Sequence, residues 1–188
     1  GEIIWSRAYG GSDYDYGKAA CLAHDGGYII AGNSGSMDGN LTGNNGFKDL
    51  WVFKLDDLGD IVWQFNYGGS HNEGIKSIIP TSDGGYLGVG TSQSNDGGVI
   101  GHHGEYGAPD IWVVKFDLTG NMLWNKCFGS SEFDYVEGAI ETQDGNYIFV
   151  GHSEGYDGEI GITYGDYDVV LMKISPDGEL IWSKNFGG

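Results

Sequence analysis

The residues of this chain that carry chemistry come in threes. Asp38, Asp96 and Asp157 each open a glycine-rich loop: Asp38-Gly39-Asn40-Leu41-Thr42-Gly43, Asp96-Gly97-Gly98-Val99-Ile100-Gly101 and Asp157-Gly158-Glu159-Ile160-Gly161. Each loop is followed by another acid, Asp49, Asp110 or Asp168. A hard cation such as Ca²⁺ takes several oxygen ligands on a bend that glycine permits, and carboxylates together with loop carbonyls supply them. These six aspartates are the candidate metal ligands and Ca²⁺ the candidate ion, on a spacing that is not that of an EF-hand. The same residues also fit Asx-turns that cap polar loops with no ion present.

A third set of acids, Asp15, Glu73 and Asp134, recurs beside glycine turns, and Lys54, Lys115 and Lys173 recur at one position in an apolar run. Charged residues seldom enter a packed sheet unpaired, so ion pairs between these lysines and these acids are expected, against a lysine that merely carries its head to water. His102-His103, close to Glu105 and Asp110, has the side chains of a transition-metal site but occurs once only. Gly17-Lys18 lacks the spacing and the Ser/Thr of a phosphate loop. Arg7 is the sole arginine, which removes the arginine cluster of a sialidase, and no Ser/His/Asp set recurs in a recognisable context. The expectation is therefore a protein that is not an enzyme. Loop aromatics, Tyr14, Tyr106, Phe133 and Tyr164, are the candidate ligand-face residues.

The elements that must position these groups are themselves repeated. The stretch Gly59-Asp60-Ile61-Val62-Trp63-Gln64-Phe65-Asn66-Tyr67-Gly68 returns three times, around Trp5, Trp124 and Trp182. The four tryptophans are 58, 61 and 58 residues apart, and a period of that size marks a repeat array. Between them come a glycine turn with an acid, a short apolar run (Ala19 to Ala23, Ser77 to Thr81, Gly138 to Thr142), and a tight turn (Asp25-Gly26-Gly27, Asp83-Gly84-Gly85, Asp144-Gly145-Asn146). A second strand then opens at Tyr28, Tyr86 or Tyr147, followed by the long loop and a third strand that starts at Asp49, Asp110 or Asp168. Four short strands joined by hairpin turns describe an antiparallel meander, the blade of a β-propeller. The expected fold is all-β: three blades over 11–68, 69–129 and 130–188, with residues 1–10 an orphan outer strand. The turn before the first strand and the long loop should emerge on one face, and the short turns on the other. Three blades and a fraction close no ring, so the array is expected to be an excerpt or to pair with another copy or with further blades.

Composition narrows the partners. Glycine, 36 of 188 residues, falls at repeating offsets beside aromatics and so serves as turn punctuation. With 27 acids against 9 bases the formal charge is −18, which repels phosphate backbones and anionic lipid. Nucleic acid and membrane insertion are thus excluded as partners, and no run approaches 18 apolar residues. Cys21 and Cys127 occupy different repeat positions and read as small buried hydrophobes. The chain starts mid-repeat without a Met or a legible signal peptide, and reads as a trimmed or mature piece.

The phrases around the tryptophans, the Asp-Gly-Gly-Tyr turn and the Asp-x-Trp-Val-x-Lys strand together resemble the propeller-like repeats of large secreted and surface proteins of bacteria, Bacteroidota above all, many of them type IX secretion substrates. The resemblance covers the whole chain. It implies an extracellular or cell-surface β-propeller module that serves as a structural or interaction scaffold, its acidic loop face turned to a protein or glycan. A glycan-binding, lectin-like propeller is the alternative, and a glycoside hydrolase-like propeller fragment a further one.

Overall fold

The computed structural model describes every residue except Thr42, Glu105 and Tyr106, and among the described residues it contains twelve strands and no helix. Three sheets follow one another along the chain. Sheet I holds β1 (Asp15–Leu22), β2 (Tyr28–Ser34), β3 (Asp49–Leu55) and β4 (Ile61–Tyr67). Sheet II holds β5 (Glu73–Pro80), β6 (Tyr86–Ser92), β7 (Asp110–Phe116) and β8 (Met122–Phe128). Sheet III holds β9 (Asp134–Glu141), β10 (Tyr147–Ser153), β11 (Asp168–Ile174) and β12 (Leu180–Phe186). Within each, sequential neighbours pair antiparallel.

The tight turns behave as their glycines require. Gly26 and Gly27 stand at φ 94° and 77°, and a Cβ on Gly27 would lie 2.0 Å from the Leu55 carbonyl oxygen. The first strand of each sheet begins earlier than its apolar run suggests, at Asp15, Glu73 and Asp134 rather than Ala19, Ser77 and Gly138. A bulge at Lys18, Lys76 and Glu137 accounts for the difference, because one extra residue breaks the alternation that a strand reading relies on. The bulge presses the first strand onto the second, where a Cβ at Gly32, Gly90 or Gly151 would come within 1.8, 1.9 or 1.9 Å of a carbonyl oxygen. Pro80 ends β5, an edge strand of its sheet, where a missing N–H costs no ladder bond.

Packing is between sheets. Ile29, Ala31, Leu50 and Val52 of sheet I meet Ile75, Ile78, Tyr86, Trp112, Val114 and Phe116 of sheet II. Leu87, Val89, Ile111 and Val113 of sheet II meet Val136, Tyr147, Phe149, Val170, Met172 and Ile174 of sheet III. Because side chains alternate between faces, a strand buried at every position is covered on both sides. This holds for β3 and β7, whereas β11 is buried only at every second residue. Backbone bonds also cross between sheets, Glu73 N–H to the Lys48 carbonyl at 2.7 Å and Asp134 N–H to the Pro109 carbonyl at 2.8 Å.

Two expectations are corrected. Residues Ile3 to Tyr9 form no strand, since the ladder they would join needs a further third strand beside them. The segment instead lies on sheet I, where the Tyr9 hydroxyl donates to the Gly59 carbonyl at 2.6 Å, Arg7 pairs with Asp60, and the Trp5 ring meets Tyr28 edge-on at 6.3 Å. Tyr67 does the same on sheet II, its hydroxyl donating to the Gly120 carbonyl at 3.0 Å. The lysines, for their part, pair not with Asp15, Glu73 and Asp134 but with the hairpin-turn acids: Lys54 with Asp25, Lys115 with Asp83 at 2.9 Å, and Lys173 with Asp144 at 2.7 Å. The stems of Lys54 and Lys115 are buried in the packed sheets, whereas Lys173 reaches its turn along the more open face of sheet III. Both cysteines are free thiols, Cys127 buried and Cys21 half-buried.

Candidate functional site

The glycine-acid turns and the long loops meet on one side of the sheets, and the aspartates that open the loops hold them there. Asp38 Oδ1 accepts from Ser12 N–H at 2.7 Å, Asp96 Oδ1 from Ser70 N–H at 2.7 Å, and Asp157 Oδ1 from Ser131 N–H at 2.8 Å. The following glycines, at φ +69°, +62° and +61°, lie so close to the turn that a Cβ would approach the carbonyls of Gly10, Gly68 and Gly129 to 2.3, 2.4 and 2.1 Å. The loop acids thus bind backbone amides of a turn 26 residues earlier in the chain, a long-range tie and not the local Asx-turn that the sequence suggests.

The other three aspartates face a different task. Asp49 Oδ2 accepts from Asn45 N–H at 2.6 Å, Asp110 Oδ2 from His103 N–H at 2.8 Å, and Asp168 Oδ2 from Tyr164 N–H at 2.6 Å. Each is buried. The turn acids are anchored nearby: Glu73 Oε2 accepts from Gly69 N–H at 2.6 Å and Oε1 from the Ser92 hydroxyl at 2.8 Å, while Asp134 Oδ2 accepts from Ser130 N–H at 2.6 Å.

At the boundary of sheets I and II, Glu73 Oε2 and Asp49 Oδ1 lie 2.4 and 2.6 Å from the point where a side chain on Gly68 would begin. Asp134 and Asp110 converge in the same way on Gly129 at the next boundary. Two buried carboxylates from adjacent sheets therefore share each seam, and Oδ1 of Asp49, Asp110 and Asp134 has no hydrogen-bond partner among the described residues. Burial, with the Glu73 charge added, pushes the Asp49 carboxyl up to about 6, and burial with the Asp110 charge does the same to Asp134.

The second seam has a counter-charge. His103 Nδ1 lies 2.9 Å from Asp110 Oδ2 and its Nε2 3.3 Å from Glu159 Oε2, and these hydrogen bonds raise the imidazole to about 10. His102 turns instead to the Ala108 carbonyl at 3.0 Å, and Glu105 lies outside the described residues. His103 alone serves a close structural ion pair, and among the described residues no three His, Cys, Asp or Glu side chains stand together as a metal-ligand set. Of the six candidate ligands, Asp38, Asp96 and Asp157 are tied to the turns, while Asp49, Asp110 and Asp168 are buried at the starts of the third strands.

The loop aromatics are spread over the face. Tyr14, Phe133 and Tyr164 are exposed, and Tyr106 lies outside the described residues. Tyr14 stacks on Tyr16 at 6.2 Å with Lys48 over both rings. A cluster that the sequence did not disclose sits on the loop side of sheet III. Glu132, Glu154, Tyr156, Gly165 and Asp166 line an open polar depression of about 240 Å³. Its residues do not recur as a set in the other two repeats, so periodicity gives no signal for them.

Comparison with protein-family models and with curated proteins gives no match.

Proposed function

We propose that this chain is a non-catalytic segment of a β-propeller, a structural or interaction scaffold of an extracellular or cell-surface protein, and that its acidic loop side binds a protein or glycan. The observation that carries the reading is how the repeated acids are spent. Asp38, Asp96 and Asp157 hold loops to turns, and Asp25, Asp83 and Asp144 hold lysines. What is left for a partner is the surface that the loops carry: exposed rings and the unrepeated acids of the depression on sheet III.

Half-buried Glu132 and Glu154, exposed Asp166 and the exposed Tyr156 ring suit a basic side chain, which gains from acids and from a ring face together. They also suit a sugar, whose hydroxyls bond acids and whose apolar face stacks on tyrosine. The two readings separate on a glycan array set beside titration with an oligo-lysine peptide at low and high salt. Binding of the peptide that weakens with salt and is lost in a Glu132→Gln, Glu154→Gln, Asp166→Asn triple variant supports a protein partner. Binding of a defined glycan, lost on Tyr156→Ala, supports the lectin-like reading. If neither ligand binds, the loop side is not a recognition surface for these classes.

A further inference from the structure

The boundaries between sheets I and II and between II and III are built alike, and each has an apolar half and a polar half. On the side that faces the next sheet, Leu87, Val89, Ile111 and Val113 of sheet II are buried. The positions that correspond in sheet III are Ile148, Val150, Val169 and Leu171, together with Ile140 in the place of Ile79. There Ile140 is 60% exposed, Val169 45% and Val150 40%. Sheet III thus carries, open to solvent, the surface that its two predecessors bury.

Sheet I carries the matching counterpart. Ile30, Trp51 and Phe53 stand where Gly88, Trp112 and Val114 of sheet II receive sheet I, and they line an unfilled cavity of about 140 Å³ beside Tyr9. The polar halves are complementary too. Both internal seams join a turn-acid N–H to the carbonyl before a third strand, Glu73 to Lys48 and Asp134 to Pro109. The corresponding donor and acceptor at the two ends, Asp15 N–H and the Tyr167 carbonyl, are not bonded to each other.

We propose that the open face of sheet III docks head to tail, in a second copy of this chain, on the face of sheet I that residues 3–9 cover, rebuilding the internal seam between molecules. A second copy fits these ends, because each has the apolar residues and backbone bonding groups of one side of an interface formed twice within the chain. Such a contact is heterologous, so it joins the two different ends rather than like to like. Gly1 to Tyr9 bears on its strength. The run Ile3-Ile4-Trp5-Ser6-Arg7-Ala8-Tyr9 is close in sequence to β12, Leu180-Ile181-Trp182-Ser183-Lys184-Asn185-Phe186. It occupies on sheet I the seat that Tyr67 and β4 occupy on sheet II, so an incoming β12 competes with it for that seat.

The test is sedimentation velocity over a concentration series, on the chain itself and on a variant without residues 1–9. Association that rises with concentration is expected, and it should be tighter by about tenfold or more in the shortened chain. Val169→Lys, at an exposed position, should leave the melt unchanged and abolish association, and so should Ile30→Lys if its melt shows that it still folds. Mixing the two variants should restore a 1:1 dimer and nothing larger, because one intact face remains on each. Monomer at every concentration in both the full and the shortened chain would overturn the proposal, as would association that survives Val169→Lys. Neither outcome touches the loop side, so the binding proposed there stands or falls separately.

Discussion

Asp49 is fully buried, one of its oxygens is unpartnered, and Glu73 faces it across the seam. Raising a carboxyl from 3.8 to about 6 means that keeping it ionised at pH 7.5 costs the folded state about 3 kcal/mol relative to the unfolded chain. Below about pH 4 the group is protonated in both states and the cost is absent. As pH rises, the unfolded chain gives up this proton first, so stability is lost between about pH 4 and 6 and stays low above that window. Asp49→Asn keeps an oxygen for the Asn45 N–H and turns an amide toward the Glu73 carboxylate. The variant should match the parent near about pH 4. At pH 7.5 it should be more stable by roughly 2–3 kcal/mol, about 6 °C in midpoint for a chain of this size. Thermal melts of both proteins from about pH 4 to 8 read the difference directly and cancel the parallel contribution of Asp134. An Asp49→Asn variant that is no more stable at about pH 7.5, or a difference that does not grow between about pH 4 and 6, would show that Asp49 carries no such penalty.

The lysine pairs should respond asymmetrically. Asp83→Asn strands an almost fully buried ammonium and should cost about 3 kcal/mol, whereas Lys115→Met leaves Asp83, 54% exposed, free to hydrate and should change stability by less than about 1 kcal/mol in denaturant titrations. Gly90→Ala brings a Cβ to 1.9 Å from the Gly74 carbonyl and should destabilise by more than about 2 kcal/mol, read in the same titrations. His103→Gln removes a group held charged up to about 10. The stability that His103 adds is complete below about pH 6.5 and fades as pH climbs through about 10, so the variant's melting point should be flatter over that range. Calcium and chelator at equal ionic strength should leave the midpoint unchanged, because Asp38, Asp96 and Asp157 already hold backbone amides. A rise with calcium would restore these acids as ion ligands.

What a sequence reading can reach in this chain depends on what recurs. The tryptophan period and the Asp-Gly-Gly-Tyr turns place the hairpins close to where the sheets have them, since glycines at positive φ mark tight turns whatever the tertiary context. The bulges escape it because the extra residue, Lys18, Lys76 or Glu137, falls where apolar alternation breaks. The glycine facing each bulge is the available sign. The lysine partners come out wrong because spacing along the chain does not say to which end of a strand a long side chain reaches. The seam carboxylates are visible as recurring acids, but their pairing across sheets depends on packing that no single repeat contains. The depression on sheet III belongs to one repeat alone, so a periodic reading passes over Tyr156 and Asp166.

Whether the loop side is the working side can be read from ¹H–¹⁵N spectra of the labelled chain titrated with the oligo-lysine peptide or with a glycan that binds on the array. Shift changes confined to the loop-side segments, 12–14, 70–72, 131–133 and 154–167, are expected. Changes centred on the hairpin turns at 25–27, 83–85 and 144–146 would place recognition on the opposite side and contradict the proposed function.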